Sequence, residues 1–433
     1  MGRKEDIDMG LFKQPNRNSR RIERKHLPIP TGPFTVGCLD LMSEPNKNGT
    51  FVRLFYPTQS TDIFERHLQW PLWLPRKHYF EGYADFLNWP AKVFGKLLQY
   101  FGGDVYAPVL WQASILRGHK YPVIVFSHGM GGNRTTNTTL LMDVASYGFV
   151  VAAIEHRDGS ASMTYHLKDS FNNNVGETRG EHFHRLPSFT HDAEWLKYEK
   201  ISPLFNFEFR NKQVHHRADE CVNTLNLLTA LNEGGDINNV LCFQELTALN
   251  FKNRFNLNQV AVVGHSFGGG TAVTALTKDS RFKVAIALDG WFDPVESELY
   301  SKIQDQPILL LNNETFQWAD NIKDQFRLMP GNLDNDQGDL EEKRKMITLM
   351  GGCHQSQTDF QFMISKQAGR FMRMRHTLDP KCCMHINTRA VVGFLRKAFK
   401  IPNVEYFDEI LEGNHEHLIR GTNVDLSSTW KPY

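Results

Sequence analysis

The chain has 433 residues, and its 49 Lys and Arg residues nearly balance its 48 Asp and Glu residues, for a formal net charge of +1 at pH 7. This balance excludes a strongly basic nucleic-acid-binding protein, and we expect no nucleic-acid partner. Hydrophobic residues make up 41% of the chain, which excludes bulk intrinsic disorder and permits a large buried core.

Residues 1–27 are polar and rich in Lys and Arg. They predict a flexible basic arm, followed by a single catalytic domain over residues 28–425 and a C-terminal tail over 426–433. The arm is interpreted either as a solvated tail or as an electrostatic contact with anionic lipid. Gly2 follows Met1 and is a candidate myristoylation site, although the motif asks for Ser or Thr where this chain has Asp6.

The six cysteines are scattered along the chain, which is typical of a protein from a reducing compartment. No apolar stretch follows the first charged residues, and no apolar run approaches the roughly eighteen residues of a membrane-spanning helix. We therefore expect a cytoplasmic protein that is monomeric, is not secreted, and associates with membranes only peripherally.

From about residue 28 onward, short apolar runs alternate with helical patterns. The runs are continuous, which is typical of strands covered on both faces. They predict strands over 123–126, 149–154, 260–263, 284–288, 307–311 and 346–350, with helices near 137–147, 214–232 and 267–278. This order predicts an α/β fold with a mostly parallel central sheet, helices on both faces, and insertions at 58–118 and 159–213 outside the sheet.

The clearest motif is Gly264-His265-Ser266-Phe267-Gly268. A predicted buried strand precedes it and a predicted helix follows, which is the context of a nucleophile elbow. The glycines let the strand and the helix approach closely, and the helix N-terminus favours developing negative charge. We predict that Ser266 is a catalytic nucleophile; the alternative is an ordinary serine in a glycine-rich turn.

A nucleophilic serine needs a histidine base and an acid that orients it. In this type of fold their chain order is serine, acid, histidine. Asp289 directly follows a predicted strand and is the preferred acid, with Asp293 as the alternative. His354 follows the next suitable strand and is the preferred base. The other histidines after Asp289 lack a clear strand-end position: His376, His385, His415 and His417.

Two backbone N–H groups are needed to stabilise an oxyanion. One is expected from Phe267, the residue after the nucleophile, and the other from a loop that follows an earlier strand. The glycine-rich segment 127–132 follows the predicted strand 123–126. We expect the Met130 N–H to be the second donor; a plain glycine-rich turn is the alternative.

Several ordered segments resemble one family, the platelet-activating factor acetylhydrolases of the plasma and intracellular type II group, which are calcium-independent group VII phospholipases A2. The resemblance spans about residues 28–425 and is closest in kind to the intracellular type II form. Besides the elbow it rests on residues 30–33, 36–40, 51–57, 71–75, 126–129, 148–158, 288–291, 346–360 and 418–423.

The resemblance implies an α/β-hydrolase fold, a triad of Ser266, Asp289 and His354, and no metal. It implies substrates that are phospholipids with a short or oxidised sn-2 acyl group, notably platelet-activating factor. Three positions depart from the family pattern. Met130 stands where Leu is usual, Gly290 stands where Ala is common, and Asp293 stands where an apolar residue is usual.

Other residues are predicted to contact substrate or membrane. We expect four to line the substrate pocket: His128, Gly129, Trp291 and Gln355. For Trp291 and Gln355, core packing is the alternative. Aromatic residues crowd segment 78–89, and two later stretches show amphipathic helical spacing. The resemblance supports membrane contact for these helices, although amphipathic helices usually face the core. The predicted membrane-contact residues are Phe94, Leu97, Leu98 and Phe371.

We therefore predict a serine esterase that removes short or oxidised sn-2 acyl groups from phospholipids without a metal or other cofactor. The His and Cys spacings do not make a full set of metal ligands. Two alternatives are an esterase or lactonase for small soluble substrates and a non-catalytic lipid-binding protein on a hydrolase fold.

Overall fold

The structure is a computed structural model. It describes residues 24–59, 62–168, 193–202, 205–241, 246–330, 341–364, 377–402, 408–429 and 431. In chain order the strands are β1 (Val36–Met42), β2 (Phe51–Pro57), β3 (Leu110–Trp111), β4 (Tyr121–Ser127), β5 (Val150–Ile154), β6 (Met163–Leu167), β7 (Ala193–Lys197), β8 (Phe255–His265), β9 (Val284–Leu288), β10 (Ile308–Asn313), β11 (Arg344–Leu349) and β12 (Leu418–Arg420).

Most of these strands form one large sheet. Its order is β12-β11-β10-β9-β8-β4-β5-β2-β1-β3, and β6 pairs with β7 separately. The six strands from β11 to β5 are all parallel to their neighbours within this run. They coincide with the six predicted apolar runs, so the predicted mostly parallel sheet and α/β class are confirmed.

Helices cover both faces of the sheet. They are α1 (His78–Phe86), α2 (Ala91–Gly102), α3 (Thr138–Ser146), α4 (Phe207–Glu233), α5 (Phe267–Lys278), α6 (Ser297–Tyr300), α7 (Ala319–Phe326), and then Phe360–Met363, Pro380–Ala398 and Asp408–Leu411. Short 3₁₀ turns span His67–Gln69, Leu246–Leu249 and His354–Gln357. Successive strand residues alternate between two apolar clusters. Ile124 packs on the side of α3 and the helix Pro380–Ala398, and Val125 packs on the side of α4 and α5.

The sheet is larger than the sequence analysis predicts. Strands β1 and β2 form an antiparallel pair in which Asp40 lies opposite Arg53, and these two side chains form an ion pair at 2.6 Å. Charged residues interrupt the apolar runs there, so the strand signal is weak. The predicted insertion 58–118 also contains β3, which pairs parallel to β1. That part of the segment therefore belongs to the central sheet.

A buried ionic cluster joins β1 and β2 to the segment after β4. Besides Arg53, Asp40 binds Arg134 at 2.7 Å, and Arg134 also pairs with Glu155 at the end of β5. The Tyr79 hydroxyl of α1 donates to Glu155 at 2.6 Å. All of these side chains are buried. Because charges inside a protein are tolerated only when paired, this cluster fixes α1 firmly against the sheet.

The described residues nearest each end of the chain contact the body of the protein. Leu27 is fully buried, and its N–H donates to the Tyr106 carbonyl at 2.9 Å. The predicted boundary at residue 27 therefore lies within residues that contact the body of the protein. Near the other end, Lys431 binds Asp320 at 2.9 Å. Within the described residues, no helix has the length and apolar content needed to cross a membrane.

Replacing Arg134 with Met should lower the free energy of unfolding by about 3–5 kcal/mol, because Asp40 and Glu155 would each lose a buried partner. Urea unfolding followed by tryptophan fluorescence would measure this. The matched control is Lys200→Met, which removes a partly exposed ion pair with Asp85 and should cost less than about 1 kcal/mol. Equal effects of the two substitutions would contradict a stabilising role for the cluster.

Candidate active site

Ser266 lies in a tight turn between β8 and α5. Its backbone adopts φ 57° and ψ −120°, a strained conformation for a non-glycine residue. The turn is possible because its neighbours lack side chains. A Cβ atom on Gly264 would lie 1.8 Å from the Gly268 carbonyl oxygen, and one on Gly268 would lie 2.0 Å from the Ser127 carbonyl oxygen. This crowding explains both glycines of the motif and holds the serine side chain clear of the turn.

The structure brings His354 and Asp289 to Ser266. His354 follows β11, and its Nε2 lies 3.0 Å from the Ser266 Oγ. Asp289 follows β9, and its Oδ2 accepts from the His354 Nδ1 at 2.7 Å. The other Asp289 oxygen accepts from the Asn313 N–H at 2.8 Å. The three side chains thus form a continuous hydrogen-bonded series with the nucleophile, base and acid in the order that acyl transfer requires.

Burial sets the protonation of this series. It lowers the pKa of His354, so the imidazole is neutral at pH 7 and Nε2 can accept the serine proton. It raises the pKa of Asp289, while the Asn313 N–H opposes that rise. His354 is also held in place from both sides. Its ring stacks on Phe316 and on His265, and the His265 Nε2 donates to the His354 carbonyl at 3.1 Å.

The alternative acid, Asp293, has different surroundings. Burial raises its pKa to about 6, and the Trp318 side chain forms a hydrogen bond with it. Because the described hydrogen bond of His354 Nδ1 goes to Asp289, the geometry favours Asp289 over Asp293.

The loop after β4 passes directly beside the serine. A Cβ atom on Gly129 would lie 2.9 Å from the Ser266 Cβ. Within the described residues, neither the Met130 N–H nor the Phe267 N–H donates to a protein acceptor, and the latter is one of the free N–H groups at a helix start. Both are therefore available to an oxyanion formed at Ser266.

His128 is not among the residues that line the cavity beside Ser266, which differs from the prediction for this residue. Its side chain is fully buried, and its Nδ1 interacts with the Gly129 carbonyl at 2.8 Å. The Arg217 guanidinium, also fully buried, donates to the His128 carbonyl and lies over the Phe267 ring at 4.7 Å. His128 and Arg217 thus buttress the loop after β4 and the start of α5.

Ser266 opens into a largely apolar cavity of about 850 Å³. Gly129, Trp291 and Gln355, three of the predicted pocket residues, line this cavity. Sequence reasoning did not assign the other aromatic residues of the lining, which come from α1, from the helix Phe360–Met363 and from four separate loops. They are Trp73, Phe80, Tyr83, Phe86, Trp89, Phe205, Phe316, Trp318 and Phe360. Phe80, Tyr83 and Phe86 recur every three residues on α1, but the others lie in separate segments that only the fold brings together.

Asp359 is a second residue that the sequence analysis did not single out. It lies five residues after His354, and its carboxylate accepts from the Thr138 and Thr139 N–H groups, each at 2.8 Å, at the start of α3. The Trp73 indole N–H donates to it at 2.9 Å. The segment that carries His354 and Asp359 is thereby fixed to the start of α3. The signal in the sequence that could have identified Asp359 was its position shortly after the candidate base His354.

The predicted membrane-contact residues have different environments. Leu97 is 44% exposed. Leu98 lines the cavity instead, and the half-buried Phe94 packs against Trp89. Val93 and Tyr100 are 65% and 82% exposed. Phe371 and the candidate lipidation site Gly2 lie outside the described residues.

In the described part of the chain, no group of three or more His, Cys, Asp or Glu side chains is arranged to hold a metal ion. The described contacts of His354 and Asp289 are with protein groups of the site itself.

Comparisons with known proteins agree with this architecture. Platelet-activating factor acetylhydrolase of Canis lupus familiaris is 36% identical over 409 residues, covering 94% of this chain and 85% of the relative. The Gallus gallus enzyme of the same name is 36% identical, with 93% and 91% coverage. A putative phospholipase A2 of Schizosaccharomyces pombe is 26% identical, with 86% and 92% coverage.

A solved structure with a similar fold is a ferulic acid esterase from Streptomyces cinnamoneus. Its TM-score is 0.61 at 17% identity, covering 92% of this chain and 99% of the esterase. The family model described as platelet-activating factor acetylhydrolase, isoform II, matches residues 20–418. With this match and relatives at 36% identity, the chain belongs to the platelet-activating factor acetylhydrolase isoform II family.

Proposed function

We propose that this chain is a serine esterase of the phospholipase A2 type, which removes short or oxidised sn-2 acyl groups from phospholipids such as platelet-activating factor. The observation that carries the proposal is the series from Ser266 Oγ to His354 Nε2 at 3.0 Å and from His354 Nδ1 to Asp289 at 2.7 Å. This series opens into an apolar cavity in a chain of the acetylhydrolase family.

In the proposed reaction, the Ser266 oxygen attacks the sn-2 ester carbonyl and its proton passes to His354 Nε2. The Met130 and Phe267 N–H groups hold the oxyanion, while Asp289 stabilises the imidazolium. As the tetrahedral intermediate collapses, His354 gives the proton to the departing lysophospholipid alkoxide. Water, deprotonated by His354, then attacks the acyl-enzyme and releases the carboxylic acid with free Ser266.

A peripheral membrane surface fits the proposed substrate. Val93, Leu97 and Tyr100 recur at spacings of four and three residues on α2, so they share one exposed face. The neighbouring lysines Lys92 and Lys96 are also exposed. An apolar stripe with adjacent cations is typical of a helix that lies on a membrane. We propose a cytoplasmic, monomeric enzyme that reaches its lipid through this face.

Two other functions are less well supported. An esterase for small soluble substrates would not need a cavity of about 850 Å³ lined largely by aromatic rings. A non-catalytic lipid-binding protein would not need a neutral imidazole within 3.0 Å of a strained serine.

Hydrolysis of two matched phosphatidylcholines in EDTA tests the proposal, one with sn-2 acetyl and one with a long sn-2 chain. We expect cleavage of the acetyl lipid alone, and a loss of turnover on the order of 10³-fold or more in Ser266→Ala, because only binding and oxyanion effects would remain. No cleavage of either lipid by protein that reacts with a fluorophosphonate would retain the serine hydrolase and reject the phospholipid substrate.

The acid is tested by a matched pair of substitutions. Asp289→Asn should lower kcat by about 10⁴-fold, because the amide favours the wrong His354 tautomer. Asp293→Asn should leave kcat close to that of the unmodified enzyme. The reverse order of effects, measured with a soluble ester, would assign the acid to Asp293.

The membrane face is tested by the double substitution Val93→Glu and Leu97→Glu. Partition onto phospholipid vesicles should fall on the order of tenfold, because two apolar contacts are lost, while hydrolysis of a soluble ester persists. Leu426→Glu changes another leucine of similar exposure, 38%, and serves as the control. Unchanged vesicle binding in the folded double variant would reject this face.

A further inference from the structure

The residues that line the cavity around Ser266 differ in their access to solvent. At the α1–α2 end, Leu87 and Gly103 line the cavity and are exposed. Four other lining residues are buried or half-buried: Trp291, Trp318, Phe205 and Met130. Within the described residues, the lining is therefore exposed beside α2 and buried around Trp291.

Trp291 is fixed close to the reacting atoms. Its backbone N–H donates to the Ser266 carbonyl at 2.9 Å, and it lies two residues after Asp289. Its indole packs against Phe267 at 5.4 Å and Phe205 at 5.7 Å between ring centroids. The side chain is only 7% exposed. It therefore has little freedom to move away from a group bound at Ser266.

The geometry of acyl transfer decides which part of an ester faces this wall. The carbonyl carbon is bonded to the Ser266 oxygen, and its oxygen points to the Phe267 and Met130 N–H groups. The leaving oxygen must face His354, which protonates it. The acyl chain takes the remaining direction, away from the base. Trp291 packs on Phe267 and lines the same cavity as Ser266, so its indole is one of the walls that an acyl chain can meet.

We infer that Trp291 limits the length of the acyl group that the enzyme accepts. The indole closes the acyl side of the cavity beside Ser266, and the glycerol and alkyl portions of the lipid extend towards the open α1–α2 end. This assignment rests on the proposed ester hydrolysis at Ser266, and it adds the residue that selects a short acyl chain over a long one.

The test uses p-nitrophenyl acetate, butyrate, hexanoate and octanoate, which keep the leaving group constant and need no membrane. In Trp291→Ala the ratio of kcat/KM for octanoate to that for acetate should rise by about tenfold or more. Room for even one more methylene in an apolar pocket changes kcat/KM by about that factor. Trp291→Phe should give an intermediate ratio. Fluorophosphonate labelling counts the active sites, so misfolded protein does not distort the comparison.

Trp89→Ala is the matched control, because Trp89 lines the cavity near its open end. It should change the acetate and octanoate values alike and leave their ratio as it is. An unchanged ratio in labelled Trp291→Ala, or an equal rise in Trp89→Ala, would overturn the inference. If the fluorophosphonate does not label the Trp291→Ala variant, the octanoate-to-acetate ratio of the Trp291→Phe variant decides the test. Loss of phospholipid hydrolysis with soluble esterase activity retained would reject only the proposed lipid substrate and leave this test intact.

Discussion

The site depends on a close approach of three backbone segments that side chains would prevent. The turn at Ser266, the start of α5 and the loop after β4 meet where Gly264, Gly268 and Gly129 provide no Cβ atoms. Adjacent parallel strands deliver these segments to one edge of the sheet. The strained serine and two free N–H groups follow from this packing. Since none of them is created by substrate, the polar part of the site is organised before binding.

Around this polar centre, long-range contacts fix the parts that come from distant segments. Asp359 connects the histidine loop to α3, and Arg217 contacts both the segment before Met130 and the ring of Phe267. Such buried polar groups are tolerated because each has partners. They give the Met130 and Phe267 N–H groups and His354, which we propose as oxyanion donors and base, a fixed relation to one another, although the three residues follow three different strands.

Much of the fold and of the candidate site could be predicted from the sequence, for physical reasons that differ from one element to another. Continuous apolar runs predict the parallel strands, and the elbow motif predicts Ser266, because both signals are local. Strands β1 and β2 were not predicted because Asp40 and Arg53 neutralise each other only across the strand pair. His128 could not be distinguished from its neighbour Gly129 as a pocket residue, since its burial depends on Arg217, 89 positions away. The aromatic lining of the cavity likewise depends on tertiary packing.

The attachment of α1 to the interior has an energetic consequence for lipid selection. Tyr79 binds Glu155, and the Tyr83 hydroxyl meets Thr136 at 3.0 Å, so the aromatic wall that α1 supplies is tied to the protein interior. The position of α1 beside the cavity is thus fixed by contacts within the protein itself. For the proposed phospholipid substrate, entry would also require withdrawal from the bilayer, at about 0.8 kcal/mol for each methylene that leaves. A lipid with a short or oxidised sn-2 chain would leave far more readily than one with two long chains, so the bilayer itself would contribute to discrimination before any atom reaches Ser266.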